Sequence, residues 1–339
     1  MHATFTPEQV EIERTLAEMA ADGLTRARAC LEEGWASDEL DRSLVEDFGA
    51  LGLPEELGGF GGGMVDVAVA VEALARTLLP TRMPAHLAAA QVAAAAGLEV
   101  PEGALALALD DGRERGTKTL VAYGAAADTI VIWSEEGVSL VAAEGLHERE
   151  SLDPTRPCVD LTPGEAIASG PAADGSLRAA LVAAADLCGA ARGALELGAS
   201  YARDRQQFGR PIGSYQGIAF QLAEAFVAQR AAWDLTVYAA WAVDVGDPSA
   251  AAQVHAAKAK AGQAALFAAE RTLQVHGGIG MTLEANPHLY LRRALFDDAW
   301  FGTGRAHRLA NGRLRLAARS GVEEARDAGP ELRVGDVVA

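Results

Sequence analysis

Apolar residues recur at helical spacing from the beginning of the chain. Thr6, Pro7 and Gln9 make a helix start, with Thr6 as N-cap, Pro7 in the first turn and Gln9 placed to close a capping box. Ile12, Leu16 and Met19 follow on one face. Further helices are expected over Asp38–Leu51, Met64–Leu79 and Pro84–Ala96, with the glycine-rich Leu53–Gly63 as a turn between the first two. From Ala104 to Ser169 the period changes from helical to alternating. Thr119–Tyr123, Ile130–Trp133 and Val138–Val141 read as strands, the last two joined at Glu136-Gly137. Helical spacing then returns over Leu177–Arg203. After a turn at Gly209–Ser214, Gln216 to about Val245 carries Leu222, Phe226, Trp233, Val237 and Trp241 on one stripe, expected to face the core. Asp247-Pro248 reads as the start of a helix closing at Gly277, about 43 Å long at ~1.5 Å per residue. One more helix follows Gly304.

This pattern divides the chain into a helical domain (1–103), a reduced β domain (104–172), a C-terminal helical bundle (173–320) and an acidic tail (321–339) expected to be loosely ordered. The fold class is mainly α with a small central β domain. At 339 residues the chain can bury two or three cores.

Composition narrows the function classes. A formal charge of -18 argues against nucleic-acid binding, and a polyanionic ligand gains nothing from the overall field, so it needs local cations. The three cysteines are scattered and the seven histidines form no ligand-spaced pair, which points away from a metal site and towards a reduced, cytoplasmic setting. Met83–Val100 is interrupted by His86, Gln91 and Gly97, so no membrane span is expected there. Gly58–Gly63 follows no strand and lacks the Lys-Ser/Thr of a phosphate loop.

Two polar segments carry the candidate chemistry. Arg203–Gln216 reads RDRQQFGRPIGSYQ, and Gln274–Gly280 reads QVHGGIG. Arg205 can grip phosphate bidentately, Phe208 can pack on a flat ring, and the amides of Gln216 and Gln274 can read a heterocycle edge or ribose. Gly277 and Gly278 allow a ligand close to the backbone. Gln207 belongs to the set if it faces the ligand and not solvent. Blander roles remain open: Arg205 in a surface ion pair, Gly277-Gly278 as a helix C-cap, and Trp133-Ser134 as part of an ordinary strand.

The paired segments, with Leu53–Gly59, Asn286-Pro287 and Arg292, resemble the flavin-dependent acyl-CoA dehydrogenases. The resemblance implies an N-terminal helical domain, a β-sheet domain and a C-terminal four-helix bundle. It makes Leu53–Gly63 a helix connector and Ser151–Pro157 the last part of the sheet domain. It also implies removal of two hydrogens from an acyl-CoA to give an enoyl-CoA, with FAD as cofactor and a carboxylate as base. Arg205, Gln207, Phe208, Gln216, Gln274, Gly277 and Gly278 then correspond to contacts with the adenosine and pyrophosphate half of a neighbouring subunit's FAD.

The departures from that family pattern carry the rest of the reading. No segment wrapping the flavin ring is found between Ala104 and Gly170. The usual glutamate base, nine residues beyond the arginine matching Arg292, is replaced by Phe301, and the alternative base position is Ala179. Asp297 and Asp298 are the candidate substitutes, and Thr303 matches a flavin-contacting threonine. The combination resembles the shorter subunit of heteromeric bacterial steroid side-chain acyl-CoA dehydrogenases. That implies an α2β2 heterotetramer in which a longer dehydrogenase-like partner holds the acyl-CoA and passes electrons to an electron-transfer acceptor. A homomeric dehydrogenase or oxidase with another base, and a non-catalytic assembly protein, are the alternatives.

Overall fold

The computed structural model describes residues 5–110 and 118–320. Five helices open the chain: α1 (Pro7–Met19), α2 (Gly23–Glu33), α3 (Glu39–Phe48), α4 (Met64–Ala75) and α5 (Met83–Ala95). The α1 cap is the expected reciprocal one, with Thr6 and Gln9 each bonding the other's backbone. Helix α2 was not expected. Its inward residues are Gly23, Ala27 and Cys30, too small to stand out as an apolar stripe.

Among the described residues, seven strands follow. β1 (Leu105–Leu109), β3 (Thr129–Trp133), β4 (Val138–Ala142) and β7 (Ala168–Gly170) form one sheet in the order β1-β3-β4-β7. β2 (Lys118–Ala122), β5 (Leu146–Arg149) and β6 (Cys158–Leu161) form a second in the order β2-β6-β5. The predicted hairpin is present as antiparallel β3 and β4, with Trp133 opposite Val138. β1 escaped notice because LALAL lacks polar alternation: its first four residues are buried.

The C-terminal bundle is built on three long helices, α6 (Gly175–Asp204), α7 (Gln216–Asp244) and α8 (Ala250–His276). α9 (Pro287–Ala299) and α10 (Gly304–Ser320) pack against α8. α8 starts later than Asp247-Pro248 implied, because the Asp247 carboxylate accepts from the Ser249 amide and hydroxyl in a turn before it. The stripe on α7 also needs correction. Its buried face is Ala225, Gln229, Ala232, Trp233, Thr236, Ala239, Ala240, Ala242 and Val243, while Phe226 is 61% exposed. Close helix packing selects the alanine face, and Phe220, Phe226 and Val227 are left on the surface.

One core runs from α1 through α4 and α5 into α6 and α8. α4 and α6 approach so closely that a Cβ on Gly193 would lie 1.8 Å from the Arg76 carbonyl oxygen. Beneath the sheet, a buried charge network joins the Ser151–Pro157 loop to α6 and α9. Arg293 donates to Asp153 (2.6 Å), Thr155 (2.7 Å) and Asp186 (3.2 Å), and Arg156 donates to Asp186. Burial pushes the Asp297 carboxyl well above the usual carboxylate range. Asp186 resists the same burial because Arg156 and Arg293 hold it low. Among the described residues no helix is long and apolar enough to cross a membrane.

Candidate cofactor-contact site

The two polar segments meet at one end of the bundle. α6 ends at Asp204, and Arg205 caps it: the Arg205 amide donates to the Tyr201 carbonyl (2.9 Å) and its carbonyl accepts from the Ile212 amide (2.8 Å). A minimal hairpin follows, β8 (Gln206–Gln207) pairing with β9 (Arg210–Pro211). Its two-residue loop puts both Phe208 (φ 51°) and Gly209 (φ 80°) in the left-handed region, the primed turn that matches strand twist. Glycine does this freely, whereas a phenylalanine is strained by about 1–2 kcal/mol. The Phe208 ring recovers little within the chain, since the residue is 92% exposed and meets only the edge of Tyr215 at 6.5 Å. Tyr215 braces the hairpin: its hydroxyl donates to the Gln207 carbonyl (3.1 Å), and the Arg210 guanidinium lies over its ring at 4.0 Å. Gln216 opens α7, exposed.

The second segment is the end of α8. Gly277 terminates it with φ 63°, its amide donating to the Gln274 carbonyl, and a 3-10 turn continues to Met281. The positive φ accounts for Gly277 as a cap. Gly278 has no such φ, and a Cβ there would meet nothing within 4 Å. Its lack of a side chain serves no packing inside the chain and leaves the backbone open to a ligand.

Ala202, Ile212 and Val275 pack together between the segments, and the Tyr201 ring stacks on His276 at 4.1 Å. Beside them a cleft of about 350 Å³ opens between Ala202, Arg203, Pro211 and Leu222. Arg205, Gln207, Phe208, Gln216, Gln274, Gly277 and Gly278 are all exposed, and Arg205 forms no ion pair among the described residues. Tyr201, Arg210, Tyr215 and His276 escaped the sequence reading. Tyr201 and His276 carried a usable signal, each being the aromatic in the last turn of a helix that ends at a candidate segment.

The candidate base positions are different. Phe301 is 5% exposed, stacked on Trp300 at 4.3 Å, and its carbonyl accepts from His307 Nε2 (3.0 Å). Ala179 is completely buried. Asp297 lies inside the charge network, 3.7 Å from Arg156 Nε, and Asp298 accepts from the Gly304 amide (3.3 Å) where α10 begins. The Thr303 hydroxyl accepts from the Ala306 amide as an N-terminal cap of α10. Lys258 Nζ donates to the carbonyls of Asp297, Asp298 and Gly302, fixing the turn between α9 and α10. Arg292 donates to the Leu152 carbonyl (3.1 Å), while Trp133 donates to the Ala172 carbonyl (3.1 Å) as a strand residue.

Residues 177–316 match the family model for the acyl-CoA dehydrogenase C-terminal domain, and residues 6–99 match that for the N-terminal domain. The chain is 35% identical to the acyl-CoA dehydrogenase IpdE2 of Mycobacterium tuberculosis (strain ATCC 25618 / H37Rv), over 82% of this chain and 87% of that protein. In structure it superposes on a variant of the Tcur3481-Tcur3483 steroid ACAD with TM-score 0.82 and 26% identity, covering 92% of this chain and 99% of that one. The ChsE4-ChsE5 complex from Mycobacterium tuberculosis gives the same TM-score at 24% identity, covering 93% and 99%, which speaks to the fold.

Proposed function

The chain belongs to the acyl-CoA dehydrogenase family, oxidoreductases acting on CH–CH bonds, and we propose that it is the shorter subunit of a heteromeric member. Its cofactor is FAD, which when bound supplies the acceptor for the hydrogens removed from the acyl chain. Arg205 would hold the pyrophosphate, Phe208 would offer an apolar face to a flat ring of the cofactor, and the amides of Gln207, Gln216 and Gln274 would contact the adenosine half. The Gly277-Gly278 backbone gives the cofactor room to approach. The base and the walls around the flavin ring come from a longer, dehydrogenase-like partner in an α2β2 assembly.

One observation carries this reading. All seven candidate contacts are exposed, including an arginine with no ion pair among the described residues and an aromatic held in a strained backbone. Both candidate base positions are instead occupied by buried side chains that cannot take a proton, Phe301 and Ala179. Asp297 is no substitute, because it is fully buried beside Arg156 and Arg293 in a structural charge network that substrate does not reach. A site with its contacts outward and no base inward fits half of a cofactor pocket completed by another chain. The Tcur3481-Tcur3483 protein, a steroid ACAD, supports a bulky steroid side-chain CoA thioester as substrate. Visible absorption of the purified protein tests the proposal. Flavin bands are expected only after co-expression with the partner; strong bands from the chain alone would overturn it.

A further inference from the structure

Tyr201 and His276 lie outside the seven candidate contacts, yet each stands in the last turn of the helix that delivers one half of the set. We propose that their ring stack is the positioning element that sets the distance and rotation between Arg205 and the Gln274–Gly278 segment. This rests on the cofactor reading above. The ends of α6 and α8 are where helices fray, because their last carbonyls lack intrahelical donors. At α8, His276 Nδ1 donates to the Thr272 carbonyl (2.8 Å), which fixes the ring's orientation and its tautomer. One turn earlier, the Thr272 hydroxyl donates across to the Ala194 carbonyl of α6 (2.7 Å), so α8 is tied to α6 at that level too. The Tyr201 ring lies on His276 with centroids 4.1 Å apart and planes 19° from parallel.

The backbone carries this contact to the site at both ends. The Tyr201 carbonyl accepts the Arg205 amide, so the residue that stacks also holds the arginine's backbone. His276 immediately precedes Gly277, whose amide returns to Gln274. The neighbouring Ala202, Ile212 and Val275 cluster presses the segments together, but apolar burial is non-directional and permits a helix to rotate. Two stacked planes resist that rotation. The seven candidate contacts are themselves exposed, so among the described residues none of them holds the two segments in register.

The test measures FAD dissociation constants of the assembled enzyme, flavin-stripped and titrated, with the melting temperature of each variant recorded in parallel. Tyr201→Ala and His276→Ala are each expected to weaken FAD binding by up to about tenfold. The double variant should be no worse than either single, because the two rings act as a unit. His276→Phe and Tyr201→Phe keep a ring plane and should bind FAD within about threefold of the parent. His276→Leu keeps apolar bulk without a plane and should bind as poorly as His276→Ala. Equal affinity for the Leu and Phe variants would reduce the stack to ordinary packing and overturn the proposal. Arg205→Ala is the control that separates the two levels: if it binds FAD normally, the cofactor reading itself fails. If it loses FAD while the Tyr201 and His276 alanine variants bind normally, only the positioning role fails.

Discussion

At the scale of single residues, the informative side chains are those whose conformation the chain does not need. Phe208 combines a left-handed backbone with a fully displayed ring, a strain that only an external contact repays. Phe208→Gly should therefore leave the stability of the isolated chain unchanged or raised by about 1 kcal/mol, since about 1–2 kcal/mol of strain is relieved against about 0.5–1 kcal/mol of added backbone freedom. The same substitution should weaken FAD binding to the assembly; calorimetry and flavin titration on one preparation read both. Arg205→Ala is expected to cost about 2–5 kcal/mol of cofactor binding, as for a charge contact at an interface. Arg205→Lys should recover only part, because the planar fork is lost. At Phe301, substitution by glutamate places a carboxylate in an enclosed aromatic stack beside Trp300. Phe301→Glu should lower the melting temperature and add no turnover, because a buried unpaired charge costs energy and, in the proposed heteromer, the walls around the flavin ring belong to the partner. A doubling of turnover per tetramer would contradict this.

At the scale of elements, stability depends on buried polar groups that tie the sheets to the helices. Asp186 serves Arg156 and Arg293 together, so Asp186→Ala leaves two buried guanidinium groups short of a partner. The expected loss is about 3–5 kcal/mol in denaturant unfolding. His86 joins three elements: its Nδ1 accepts from the Leu105 amide and its Nε2 faces the Gly49 carbonyl at 3.2 Å. Burial pulls its pKa down to about 4, and burial does the same at His255. The folded state then binds fewer protons than the unfolded chain, whose histidines titrate near 6.5, so stability falls as pH drops from about 6.5 to 4. His86→Gln should flatten that part of the stability–pH curve; an unchanged slope would mean that His86 is not a source of it.

These same elements show how far the sequence could be read. α1 and α3 to α8 are legible from their period, α1 also from its capping box and α8 from the glycine that ends it. α2 and β1 are not, because small residues blur the contrast between inner and outer faces. Phe226 is exposed although it lies on the apolar stripe of α7, because periodicity locates such a stripe without saying whether this chain or another molecule covers it. The candidate contacts were legible as two motifs, but the hairpin that displays Phe208 and the Tyr201–His276 stack depend on tertiary approach. No local pattern encodes that.

At the scale of the whole molecule, the described residues form an acyl-CoA dehydrogenase fold with the seven candidate contacts facing outward. Its formal charge of -18 makes local cations such as Arg205 decisive for an anionic cofactor. Apolar side chains left in the open, Phe220, Phe226 and Val227 on α7 and Met281 and Leu283 after α8, are what a subunit destined for an assembly would retain. In a heteromer one cofactor pocket per pair would be complete, and the abandoned second site would leave room for a bulky acyl group. Native mass spectrometry with flavin quantitation, on the chain alone and co-expressed with its longer partner, tests this most directly. The predicted result is an α2β2 tetramer carrying two FAD, with no flavin on the chain alone. A homotetramer of this chain carrying four FAD and dehydrogenating an acyl-CoA would contradict it.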